Sequence, residues 1–338
     1  MPANNPVAPS PFTPLVENCS VDRTLQVLSD PWTSLVLREL WFGLHRFGEF
    51  QAVLQIPKAT LTNRLKSLLD AGLLKQVPGR QGGLRKEYRF TEMGAELYPI
   101  MLTLLSWGDT WLSQEQGPPI KLFHRRNGDR LRVDVICSSC KTSVNSTNVA
   151  FEKGPGAGVS PLINHRSTNR SSKPENFTTP RACSVARTLR VLGDRWSFLL
   201  IRELFFGRHR FDPIQRQLNM STSVLSNRIK QLVDHKIIEK SRYGKSTSRY
   251  EYYLTESGLD LYPSLLAMIL WGDKWLPAKG GSPILLRHKT CGQLFEPVVV
   301  DQSKGLPLSA KEVRYAPGPG WSVNYGEDLL LNRLHILQ

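Results

Sequence analysis

The sequence is written twice, and this duplication limits what the chain can fold into more than any single motif does. Cys-Ser-Val-Asp-Arg-Thr-Leu begins at Cys19 and returns as Cys-Ser-Val-Ala-Arg-Thr-Leu at Cys183, an offset of 164 residues. The offset holds without insertion as far as Val149, Phe151, Gly154, Pro155 and Gly156, which fall on Val313, Tyr315, Gly318, Pro319 and Gly320. The copies therefore cover 19–156 and 183–320. A period this long exceeds a solenoid unit, so each copy reads as a complete domain with its own core. Residues 157–182 are rich in Ser, Asn, Pro and Arg and read as a linker. Two like domains on one linker predict a single-chain counterpart of a homodimer.

Within each copy the apolar spacing is helical at first. Val21, Leu25 and Leu28 mark one helix, and Trp32, Leu35, Val36 and Leu40 a second that stops at Gly43. A short helix follows around Phe47, Phe50 and Leu54. The next segment carries Leu61, Leu65, Leu68 and Leu69 on one side, matched by Leu225, Ile229, Leu232 and Val233. Two helices joined by a brief turn, the second with one apolar stripe, meet the requirement of a helix-turn-helix. Strand alternation then brackets a glycine-containing basic turn, 78–83 in the first copy and 242–245 in the second. Such a turn suits a wing lying on phosphate, and it equally suits an ordinary solvated loop. A final helix holds Leu97, Met101, Leu104 and Leu105, and short strands follow, such as 131–135 and 297–300.

Directing Leu61, Leu65 and Leu68 inward turns Ala59, Asn63 and Lys66 outward, with Thr60 and Thr62 on the flanks. In the second copy Ser223, Asn227 and Lys230 face out, with Thr222 and Ser226 beside them. Asn pairs bidentately with adenine in the major groove, Lys reaches guanine or phosphate, and Ser or Thr reads either. Arg64 and Arg228 lie at the stripe's edge and could hold phosphate or pair with a local carboxylate. Arg80, Arg85 and Lys86, with Lys245 and Arg249, would set the wings on the backbone. Trp107 and Trp111, and likewise Trp271 and Trp275, stand four apart on one helix face. They read as a domain–domain interface or as plain core.

A formal net charge of +15 makes polyphosphate the natural partner. No run of about eighteen apolar residues predicts a membrane span, and the first eighteen residues do not read as a secretory signal. Five scattered cysteines fit a reducing cytoplasm better than a disulfide framework. No phosphate loop, zinc-protease motif or paired-carboxylate constellation appears, so an enzyme is not expected.

The ordered series Cys-Ser-Val-x-Arg-Thr-Leu, Asp-x-Trp, Arg-Glu-Leu, His-Arg-Phe, Leu-x-Asn-Arg, Tyr-x-(Phe/Leu)-Thr-Glu and Trp-Gly-Asp occurs in both copies. It resembles the HxlR family of winged-helix regulators. The resemblance implies a cytoplasmic bacterial regulator of double-stranded DNA whose recognition helix enters the major groove. It also implies a two-domain unit on a roughly palindromic operator, with half-sites about 34–36 Å apart. Two departures stand out. Pro57 replaces the Ser221 of the second copy, removing an expected N-cap, and Pro31 stands opposite Arg195.

Cys19 and Cys183 match the N-terminal cysteine that some relatives use as a redox switch, and small buried packing residues are the alternative. Cys137-Ser-Ser-Cys140 has metal-ligand spacing, but structural zinc takes four ligands. Cys291 aligns with Asn127, while His124 and His288 recur in both copies. The expectation is a decayed metal ribbon without a bound ion or cofactor, since a site would need ligands from both halves or an unusual set.

The expected class is α+β, mainly α: tandem winged helix-turn-helix domains, each followed by a short strand-rich extension. The expected units are an arm at 1–18, a first domain at 19–116 and its extension at 117–156. The linker at 157–182 then leads to a second domain at 183–280 and an extension with tail at 281–338. A small-molecule or redox effector, and either a monomeric pseudo-dimer or a homodimer, fit this plan. The rival reading is a degenerate winged-helix module that binds a small molecule or protein and not DNA.

Overall fold

The computed structural model describes residues 15–28, 30–79, 86–113, 115, 117–161, 183–192, 194–244 and 249–321. The first copy runs α1 (Ser20–Leu28), α2 (Pro31–Trp41), α3 (Phe47–Leu54) and α4 (Lys58–Asp70). A hairpin of β2 (Leu74–Pro78) and β3 (Lys86–Phe90) follows, then α5 (Glu92–Ala95) and α6 (Tyr98–Leu112). The second copy repeats this as α7 (Ser184–Leu192), α8 (Arg195–Phe205), α9 (Phe211–Leu218), α10 (Thr222–Asp234), β8 (Ile238–Arg242), β9 (Tyr250–Leu254), α11 (Glu256–Leu259) and α12 (Tyr262–Trp275). The result is the expected mixed fold of two winged helix-turn-helix units.

Local chemistry sets these boundaries. Asp30 Oδ1 accepts from the N–H of Trp32 at 2.9 Å, and Asp194 Oδ1 from that of Trp196 at 3.0 Å. These carboxylates satisfy orphan donors and oppose the positive ends of α2 and α8. Gly43 and Gly207 end those helices at φ +87° and +80°, where a Cβ would be strained. Thr91 and Thr255 cap α5 and α11 through the N–H groups of Gly94 and Gly258.

The two copies are interleaved. Helix α1 packs on α12 of the other copy, and α7 packs on α6. The contact is close because glycine sits at each crossing. A Cβ on Gly108 would stand 2.6 Å from the Ser184 carbonyl oxygen, and one on Gly272 2.4 Å from that of Ser20. The Thr188 hydroxyl donates to the Leu104 carbonyl at 2.9 Å, and the Thr24 hydroxyl to that of Met268 at 2.8 Å. Asp109 accepts from Ser184 and Asp273 from Ser20. Burial holds the Asp109 carboxyl up, to about 6, against the lowering effect of that Ser184 bond.

Strands after the winged domains complete the interleaving. β4 (Ile120–His124), β5 (Val133–Cys137) and β6 (Val149–Lys153) come from the first copy, and β10 (Ile284–His288), β11 (Pro297–Asp301) and β12 (Val313–Pro317) from the second. They pair antiparallel as β4–β12, β5–β11 and β6–β10, with His124 opposite Val313, Val135 opposite Val299 and Phe151 opposite Leu286. Each extension therefore completes its hydrogen bonding on the other copy. Within the expected linker, β7 (Val159–Pro161) pairs with β1 (Leu15–Glu17). The rest of that linker, 162–182, and the arm before residue 15 lie outside the described residues.

Candidate nucleic-acid interface

Helix α4 holds the free face by burying Leu61, Leu65 and Leu68, and α10 does so with Leu225, Ile229 and Leu232. Each such buried side chain stabilises the seating by about 1.5–3 kcal/mol. Ala59, Thr62, Asn63 and Lys66 are consequently exposed and Thr60 is half-buried. On α10, Thr222, Ser223, Ser226, Asn227 and Lys230 are all exposed. Turns before these helices pass through left-handed residues, Gln55 at φ 50° and Asn219 at φ 49°.

The two helix starts differ as their sequences predict. Pro57 gives α4 no side-chain cap, whereas Ser221 Oγ accepts from the N–H of Val224 at 3.4 Å. The free faces also differ in detail. Thr62 returns its hydroxyl to the Lys58 carbonyl at 2.9 Å, and Thr222 Oγ1 accepts from Gln215 at 3.0 Å.

Arg64 and Arg228 turn back into the fold. Arg64 Nε lies 2.9 Å from Asp30 Oδ2, and Arg228 Nη2 lies 2.5 Å from Asp194 Oδ2. Of the two roles open in the sequence, the structure places both on the local carboxylate. Each thereby locks α4 or α10 to the N-cap of the helix carrying Trp32 or Trp196. Desolvation raises the Asp194 carboxyl, and the Arg228 charge works against that rise.

The wing strands bring further cations outward: Lys75 and Lys86 on β2 and β3, Arg242 at the end of β8, and Arg249 just before β9 are exposed. Arg80, Arg85 and Lys245, the expected wing-tip contacts, lie outside the described residues. The base of the first wing is fixed by Glu87, which accepts from Arg89 at 2.6 Å and from Arg46 at 3.2 Å.

All four expected interface tryptophans bond across the repeat. Trp107 Nε1 donates to the Ser257 carbonyl at 2.7 Å, and Trp111 Nε1 to Asp260 Oδ2 at 3.0 Å. Trp271 Nε1 donates to the Met93 carbonyl at 3.0 Å, and Trp275 Nε1 to Glu96 Oε2 at 2.8 Å. The Trp-Gly-Asp sequence thus supplies an indole donor, a close helix crossing and a serine acceptor to one interface.

Cys19 and Cys183 precede α1 and α7 and are buried. Sequence reasoning missed their partners. Arg202 Nη1 of the second copy donates to Cys19 Sγ at 2.7 Å, and Arg38 of the first faces Cys183. Burial opposes both guanidinium charges, yet the facing cysteines and the neighbouring Glu39 and Glu203 outweigh it and hold them protonated. The signal was present in the repeated Arg-Glu-Leu, whose arginines had no assigned task. Among the described residues, no helix is long and apolar enough to cross a membrane.

Comparison with known proteins agrees with this geometry. The profile of the family described as HxlR-like helix-turn-helix matches twice, at residues 27–116 and 191–280. An uncharacterized HTH-type transcriptional regulator of Mycobacterium tuberculosis, Rv3095, is 41% identical over 140 residues, 41% of this chain and 89% of that protein. The regulator sll1512 of Synechocystis is 34% identical over 33% of this chain and 84% of its own length. YdeP of Bacillus subtilis, another HTH-type regulator, is 31% identical over 28% of this chain and 75% of its own. Such relatives are about as long as one repeat. The chain belongs to the HxlR-like helix-turn-helix family of DNA-binding transcriptional regulators and carries two of its domains in tandem.

Proposed function

We propose that the chain acts as a single-chain pseudo-dimer on a roughly palindromic duplex operator, with α4 and α10 in the major groove and both wings on the backbone. The observation that carries this reading is the paired outward row. Asn63 and Lys66 on one helix and Asn227 and Lys230 on the other are exposed over a buried stripe. Asn reads adenine, and Lys adds guanine or phosphate contact. The exposed cations of the wing strands and the +15 net charge favour the same partner. Ala59, Thr60 and Thr62 stand where Ser223, Val224 and Ser226 stand in the second copy, so the two half-sites would differ in sequence.

The test is a footprint of the full chain on the DNA upstream of its own gene at several salt concentrations. Protection of two half-sites, with affinity falling steeply as salt rises, is the expected result. Indifference to DNA at low salt would leave the rival, a winged-helix module for a small molecule or a protein.

A further inference from the structure

The strand extensions hold a second, chemically distinct cluster. Cys137 and Cys140 of the first copy and His288 and Cys291 of the second bring one donor atom each to within 4.8 Å of one another. We propose that these four side chains bind one structural Zn²⁺, a Cys₃His clasp between the two repeats.

Distance supports this assignment. Zn–S bonds of about 2.3 Å and Zn–N bonds of about 2.0–2.1 Å in a tetrahedron require S···S edges of ~3.8 Å and S···N edges of ~3.5 Å. Cys137 Sγ and Cys291 Sγ are 4.0 Å apart. His288 Nδ1 lies 3.2 Å from Cys140 Sγ and 3.5 Å from Cys291 Sγ. The chain is already collected to coordination spacing.

The backbone beneath the donors is built as two facing knuckles. In one, the N–H of Lys141 bonds to the Cys137 carbonyl at 2.9 Å, and Lys141 takes φ 62°. In the other, the N–H of Gly292 bonds to the His288 carbonyl at 2.7 Å, and Gly292 takes φ +71°. Each tight turn folds its two donors toward one point. Ser138 ties the first knuckle to the second copy just before β11, giving its N–H to the Glu296 carbonyl at 3.1 Å and accepting from the Glu296 N–H at 3.0 Å.

Burial adds a second argument. Cys137 and His288 are fully buried. The imidazole packs edge-on to Phe295 with ring centroids 5.7 Å apart, and its Nε2 has no hydrogen-bond partner. A metal on Nδ1 would fix the ring in the tautomer with its proton on Nε2.

The repeat supplies an internal comparison. At the 164-residue offset, Asp301, Lys304, His124 and Asn127 occupy the corresponding places. The knuckle turns are kept, with Gly128 bonded to the His124 carbonyl at 2.9 Å and Gly305 to that of Asp301 at 2.8 Å. The donors are not. There His124 Nε2 lies 2.9 Å from Asp301 Oδ2, and Lys304 Nζ lies 2.8 Å from Asp129. One side is closed by an ion pair carrying its own cation, whereas the other gathers three thiols and an imidazole, a donor set that suits one soft divalent cation.

The test uses the full chain purified without chelator, with metal content measured by plasma mass spectrometry and Co²⁺ then exchanged in. One zinc per chain is expected. The Co²⁺ form should show thiolate-to-metal charge transfer and the intense visible bands of a tetrahedral site. Cys140→Ser and Cys291→Ser should weaken zinc retention by more than about 100-fold, while Asn127→Ser at the corresponding place should leave it unchanged. A folded wild-type chain with well under one zinc, a Co²⁺ form lacking thiolate charge transfer, or a Cys137–Cys140 disulfide in place of metal would each overturn the assignment. The wild-type measurements decide the matter even if a variant does not fold.

Discussion

Arg202 Nη1 reaches across the repeat to Cys19 Sγ at 2.7 Å while its Nε donates to Glu203 Oε1 at 2.8 Å. One buried guanidinium therefore serves a thiol of the other copy and a carboxylate of its own. Replacing it with an apolar side chain strands the thiol and leaves the buried Glu203 carboxylate with Arg208 alone. Arg202→Met is expected to destabilise the chain by about 3 kcal/mol, read as a lower urea midpoint at unchanged slope. A change under about 0.5 kcal/mol would show that this bridge carries no weight.

The helix crossings are tighter than a methyl group allows. Gly108→Ala would set a Cβ against the Ser184 carbonyl at 2.6 Å, and Gly272→Ala against the Ser20 carbonyl at 2.4 Å. Each is expected to cost about 1–3 kcal/mol, measured by thermal or urea unfolding. Gly48 lies in α3 with nothing within 4 Å of its added Cβ. Gly48→Ala should instead be neutral or stabilise by up to about 1 kcal/mol.

Asp109 gives the stability a pH dependence of predictable sign. Its carboxyl rises from 3.8 to about 6 on folding, through burial. Between those values the folded chain holds a proton that the unfolded chain has released. This contribution is therefore fully present below pH 4 and lost as pH rises through 6. Measured as melting temperature against pH, the wild type should fall relative to Asp109→Asn across that window. Parallel curves would exclude it.

On the free faces, Lys66→Ala and Lys230→Ala should each lessen the dependence of log affinity on log salt by about 1, uniformly across sequences, if the lysines hold phosphate. Asn63→Ala and Asn227→Ala should leave that slope in place and relax discrimination at one base pair by about 1–3 kcal/mol. Binding curves of each variant on matched and mismatched duplexes separate the two effects.

The helices were legible in the sequence because each buries one apolar stripe, and the stripe of Leu61, Leu65 and Leu68 alone fixes which side of α4 meets solvent. The repeat itself disclosed the duplicated fold. Hidden instead were relations that cross between copies. Nothing local in Cys137-Ser-Ser-Cys140 says that His288 and Cys291 stand beside it, because the two segments come together only after the halves interleave. That a site would need ligands from both halves could be read from the sequence, but not that the fold gathers them. Arg64 and Arg228 show the same limit: only the fold reveals that Asp30 and Asp194 stand within reach.

The antiparallel pairing of β4, β5 and β6 with strands made much later has a consequence for biosynthesis. The first copy leaves the ribosome with those strands and α1 lacking their mates, which lie more than a hundred residues ahead. At ordinary translation speeds, that wait lasts about 10–30 s. During it the nascent chain exposes open strand edges, and two neighbouring nascent chains on one message could exchange halves. Covalent fusion counters this hazard by delivering the proper mate at high local concentration as soon as synthesis ends.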